Sequence, residues 1–93
     1  MNQYLLSYSE SIVLSLCEEI EYIKSRSKNI NHSLRTCHNK KLSKRLRIEL
    51  DKLNKNRLKI LSISENIFKI NSQDLSSEFL LEMTKRANTY QQI

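Results

Sequence analysis

Glycine and proline are both absent from this 93-residue chain. They supply the positive-φ turns and fixed bends that hairpins and strand edges need. A many-turned β fold is therefore excluded, and long helices joined by a few polar bends are predicted. Without glycine there is also no phosphate-binding loop. Tryptophan is missing and aromatics make up 6% of the chain, which leaves little from which to build a base-stacking platform. No stretch approaches the length of a membrane span. The N-terminus lacks a basic start and Glu10 interrupts its apolar stretch, so a secretory leader is not expected. Cys17 and Cys37 fall on one predicted helix, about 30 Å apart at 1.5 Å per residue. They cannot pair, as suits a reducing compartment.

What the chain does have is aliphatic mass and uneven charge. Fourteen Leu and ten Ile stand against a single Val, so strand formers are few. The length makes one domain, 1–93, near the lower limit for burying a core unaided. With two Phe, no Trp and few large fillers, the core is thin, and burial completed against a partner is predicted. The net charge of +6 is concentrated: residues 1–23 carry four acids and no base, while residues 24–59 carry thirteen Lys or Arg against Glu49 and Asp51. Such asymmetry points to a nucleic-acid or acidic-protein neighbour for the middle of the chain, or to a solvated helix face.

Val13, Leu16, Ile20, Ile23, Ser27, Ile30, Leu34 and Cys37 recur at alternating spacings of three and four, the a/d seam of a packed helix. Ser9 is a candidate N-cap, the alternatives being that Tyr4 to Tyr8 extend the helix or pack beside it. Beyond Cys37 the apolar stripe slips in phase and resumes at Leu42, Leu46, Leu50, Leu53, Ile60 and Ile67. That slip predicts a bend at His38–Lys41, with Asn29–Ser33 as the second choice. Asp74 or Ser72 caps a third helix carrying Leu75, Phe79, Leu80, Met83, Ala87 and Tyr90. The reading is all-α: a long antiparallel hairpin plus a C-terminal helix, over roughly 9–37, 42–70 and 74–91.

Three groups of residues are candidates for function. The seam residues Val13, Leu16, Ile20, Ile23, Ile30, Leu34, Leu46, Leu50, Leu53, Ile60, Ile67, Phe79 and Met83 are predicted to pack against partner chains. Arg57 interrupts the second stripe where a Leu is expected, and folding back from the bend brings it level with Glu19. A buried Arg57–Glu19 pair, or one with a partner's carboxylate, would fix register; the alternative is an Arg whose stem covers the core while its head reaches water. Lys41, Lys44, Arg45, Lys52, Lys55 and Lys59 fall on one outer arc of the second helix, a stripe able to follow a phosphate backbone. A short turn followed by a recognition helix is lacking. His32, His38 and Cys37 lack a convergent fourth ligand for zinc, and no catalytic constellation, cofactor motif or metal site is predicted.

The run Leu46-Arg47-Ile48-Glu49-Leu50-Asp51-Lys52-Leu53-Asn54-Lys55-Asn56-Arg57-Leu58-Lys59-Ile60 resembles the basic central helix of GINS subunits. Leu75-Ser76-Ser77-Glu78-Phe79 and Ala87-Asn88-Thr89-Tyr90 are similar to the start and end of that family's next helix. Leu5-Leu6, Ile12-Val13 and Glu18-Glu19-Ile20-Glu21 are similar in spacing to the first long helix of the Sld-type subunit. The likeness covers roughly residues 5–90. It implies a non-catalytic scaffold subunit, the Sld-type one or its helical-first partner, of a four-chain nuclear assembly that supports the replicative DNA helicase, bound to sister subunits by helix packing. The family's β domain has no counterpart here, and its Arg-rich helix is diluted to Lys and Asn. Two other expectations stand beside it: a stand-alone helical adaptor or homodimeric regulator, cytoplasmic if so, and a small basic nucleic-acid-binding protein.

Overall fold

The computed structural model describes residues 3–70 and 74–87, and of residues 3–10 the backbone alone. The elements are three α-helices, α1 (Gln3–Thr36), α2 (Lys40–Ile70) and α3 (Leu75–Arg86), in a rod of 58 × 22 × 16 Å. This is the predicted all-α hairpin with a third helix, and no strand occurs among the described residues.

Helix boundaries follow local chemistry where a cap exists. The hairpin bend is Cys37-His38-Asn39, slightly ahead of the predicted bend. Asn39 caps α2: its Oδ1 accepts from the Leu42 N–H at 3.1 Å and its carbonyl from the Ser43 N–H at 2.9 Å. These bonds satisfy donors that a helix start leaves free. Asn29–Ser33 remains helical, and the Asn31 amide donates to the Ser27 carbonyl one turn back at 2.9 Å. α1 runs through Ser9 instead of starting there. A cap residue supports a helix start by about 1 kcal/mol but cannot impose one where no breaker follows. Asp74 is the N-cap of α3 as expected, its carboxylate accepting from Ser76 N–H at 3.1 Å and from Ser77 Oγ at 3.4 Å. Glu78 in the first turn and Lys85 and Arg86 in the last complement the helix dipole. The predicted end of α3 near residue 91, with Tyr90, lies outside the described residues.

The seam closes on itself, and here the expectation of partner packing is corrected. Val13, Ile20, Ile23, Ile30, Leu50, Leu53 and Ile60 are buried within the single chain, with Leu80 and Ala87 of the α3 side completing the cluster. Leu16, Leu34, Leu46, Ile67 and Met83 pack against it, partly buried. Phe79 points out instead, 62% exposed. The reason is helical phase: the inner face of α3 is formed by Ser77, Leu80, Leu81, Thr84 and Ala87, and Phe79 falls on the other side of the helix. The buried hydroxyls are satisfied locally, Thr84 Oγ1 donating to the Leu80 carbonyl and Ser64 Oγ to the Leu61 carbonyl, both at 2.8 Å. Ser27 Oγ is buried without a partner.

The pairing of Arg26 with Glu49 sets the hairpin register. Stepping a heptad at a time toward the open end brings Glu19 level with Asn56 and Ile12 level with Ile63; the latter two line one hollow. One residue further into the seam, Ile20 stands against Arg57. One of the hairpin's two grooves receives α3, which lies beside Val13, Leu14 and Cys17. The other is bare.

Candidate functional site

Two arginines leave the solvated face, and neither bonds Glu19. Arg26 makes a bidentate pair across the hairpin, Nε to Glu49 Oε1 and Nη2 to Oε2, both at 2.9 Å. Arg57, in the seam, donates from Nη1 to the Thr84 carbonyl of α3 at 3.2 Å, while its Nε is buried without a partner. The proposed Arg57–Glu19 ion pair is thus corrected. Glu19 is exposed and flanks the seam on the bare side, whereas Arg57 sits inside the seam and turns toward α3. There its cation meets the negative end of a helix dipole, on a carbonyl that also accepts from the Ala87 N–H at 3.3 Å.

The Arg26 guanidinium, by hydrogen bond first and then by its charge, lowers the Glu49 carboxyl below its usual range. The same pair raises Arg26. The stabilisation is present above the ordinary carboxylate pKa of about 4.3 and is lost as pH falls through the lowered value. Both side chains are more than a third exposed, at 39% and 37%, so solvent limits its worth to under about 1 kcal/mol. Glu49→Gln is expected to remove that small acid-side loss, read by comparing thermal unfolding at pH 3 and pH 7. An unchanged acid limb would show that the pair contributes nothing.

The remaining basic residues form a continuous field. Lys41, Lys44, Arg45, Lys52, Lys55 and Lys59 are all exposed on α2, as the sequence predicts for an outer arc. From first to last they span about 27 Å of helix. Lys24, Lys28, Arg35, Lys40 and Arg47 are exposed around the same bend half. The open end is mainly acidic: Glu18, Glu19, Glu21, Glu65, Asp74, Glu78 and Glu82 are exposed there, against Lys69. The rod is therefore electrically polar along its length. Leu42 and Ile48 lie among the cations with 47% and 46% exposure, but no aromatic ring stands in the stripe.

Chemistry beyond charge has little to work with. Among the described residues no three His, Cys, Asp or Glu side chains could hold a metal ion, and no helix is long and apolar enough to cross a membrane. Cys17 lies in the groove beside α3, where burial, and after it the Glu21 charge, pushes its thiol up, away from a reactive thiolate. No family model, curated protein or solved structure matches the chain. Its site is therefore argued from geometry.

The sequence reading found the stripe and missed Arg26–Glu49. The signal was available: Arg26 and Glu49 occupy equivalent flanking positions of the two seams, equidistant from the bend. The Arg57–Thr84 bond had no such signal, because the position of α3 along the hairpin is set by packing.

Proposed function

We propose that the chain is a non-catalytic docking protein whose basic bend half binds the phosphate backbone of a nucleic acid. The observation that carries this is the straight, exposed stripe Lys41, Lys44, Arg45, Lys52, Lys55 and Lys59 on one helix, running from the bend until Lys59 reaches the level of the first acids. Cations held along a rigid helix neutralise phosphates and release counterions, which gives affinity without reading sequence. The missing aromatics and recognition helix fit backbone contact and oppose base readout.

The test is binding of a fluorescent 20-base-pair duplex across a salt series. With about six phosphate contacts the log–log slope should lie near −5. Lys41→Glu with Lys55→Glu should weaken binding at least tenfold and flatten the slope by about 2. An unchanged affinity removes this reading.

A second reading is favoured by another surface. Leu14, Leu75 and Phe79, exposed by 61%, 79% and 62%, crowd one shallow groove between α1 and α3. A scaffold subunit of GINS type would use such an outer patch for its sisters, since the seam itself is occupied. If duplex binding is unaffected by the lysine reversals and the chain becomes monodisperse only beside sister subunits, this second reading replaces the first.

A further inference from the structure

The hairpin groove opposite α3 has an ordered pattern. At the open end Ile12 and Ile63 are 37% and 43% exposed, and their hollow is shared by Val13, Ile67 and Ile70 and floored by Asp74 and Ser77 at the start of α3. Toward the bend come Glu19, then Tyr22 at 55% exposure, then the Arg26–Glu49 pair, and finally Leu42 at 47%. We propose that this groove seats a second copy of the chain. The two hairpins lie side by side with their open ends together, as a four-helix bundle about a two-fold axis along the rods.

Charge chooses both the occupant and the orientation. With the axis along the rod, α1 of one copy lies against α2 of the other at equal height. Ile12 then meets Ile63 of the second copy, joining two apolar hollows. Glu19 meets Lys59 of the second copy, because Lys59 lies on this side of α2 and less than one turn from the level of Glu19. Tyr22 meets Lys52 of the second copy, an arrangement suited to a cation–π contact. Each Arg26 also faces a second Glu49. The reversed arrangement, rods antiparallel, sets Glu19 against Arg26 but also Lys52 against Lys52 and Lys59 against Arg45, and these like-charge contacts along α2 disfavour that mode.

The size of the face is sufficient for a modest dimer. From Ile12 to Ser33 the groove runs about 32 Å at 1.5 Å per residue, and two helices 8–10 Å apart make it about 20 Å wide. That is on the order of 600 Å² per copy, at the lower end of stable interfaces. The net charge of +6 on each chain opposes pairing, but at physiological salt it is screened beyond about 8 Å. A face at this lower limit fits a weak, reversible dimer. Both basic bends would sit at one end of the dimer, yet the pairing stands on the bare groove and is independent of nucleic-acid binding.

Sedimentation equilibrium at 0.15 M salt is the test, with circular dichroism to show that each variant remains helical. The wild-type chain should dimerise between about 1 and 100 µM. Glu19→Lys and Lys59→Glu are surface changes that should each raise the dissociation constant at least tenfold. Mixed in equal amounts, these two variants should pair again, since one of the two Glu19–Lys59 contacts is restored with its sign exchanged and the other is wild type. Lys41→Glu with Lys55→Glu, which impairs duplex binding under the reading above, should leave the dimer intact. A wild-type monomer at about 300 µM, a dimer indifferent to both reversals, or a mixture no tighter than its components would each overturn the proposal. In the last two cases another face or another occupant is responsible.

Discussion

Ile23→Ala is expected to lower stability by about 3 kcal/mol. Ile23 is 0% exposed and stands in the middle of the hairpin seam, level with Leu53, which is 6% exposed. Removing its branched end leaves a hole that two long helices, tied at one end by the bend and at the other by α3, cannot collapse to fill. A domain of this size has roughly 5–10 kcal/mol in hand, so the change consumes a large fraction of it. Urea unfolding, at concentrations where the chain is monomeric, measures the effect as a shift in midpoint at unchanged slope. Ile12→Ala provides the contrast: its side chain is 37% exposed, and a loss under about 1 kcal/mol is expected. If Ile23→Ala costs as little as Ile12→Ala in the monomer, the seam is not closed within one chain and the packing partner is another molecule.

Arg57→Glu should be at least as damaging, by more than about 3 kcal/mol, and its effect should be local to α3. The substitution replaces a cation that donates to the Thr84 carbonyl with an anion facing the same carbonyl. It also sets like charge against the negative end of the helix. The small residues that let α3 lie close, Ser77, Thr84 and Ala87, provide little apolar area to offset that repulsion. Hydrogen exchange read segment by segment should show α3 amides opening far faster than those of α1 and α2. Arg57→Leu should behave differently. It removes a cation whose Nε is buried without a partner and supplies the aliphatic side chain that the stripe otherwise carries, so stability should stay within about 1 kcal/mol of wild type. Equal losses for the two variants would mean that the Thr84 bond, and not the charge at the seam, holds α3. Uniformly fast exchange in Arg57→Glu would mean that α3 is not a separable unit.

Much of the fold was legible because helical periodicity is a local property. The alternation of threes and fours from Val13 to Leu34, and again from Leu46 to Ile67, identifies the residues that meet. The Asp74 cap was legible for the same reason: its bonds reach only to Ser76 and Ser77. The exact bend needed one further fact, that Asn39 has both its side chain and its carbonyl free to hold the first turn of α2. The candidate site divides similarly. Lys41 through Lys59 could be placed on an outer arc from spacing alone, since solvent imposes no partner. Which way the seam residues look, toward sister chains or toward one another, could not be read. A thin apolar stripe is the same in both cases.

The sequence by itself determined an all-helical hairpin with a polar distribution of charge, because the absence of Gly and Pro, the seven-residue repeat and the sign of each side chain are properties of the chain alone. Only the tertiary structure decided that the seam is filled from within and that Arg57 reaches Thr84 and not Glu19. Those outcomes depend on how closely α3 can approach the hairpin. That distance is set by small side chains and backbone geometry on separate helices, which no periodicity within one helix records.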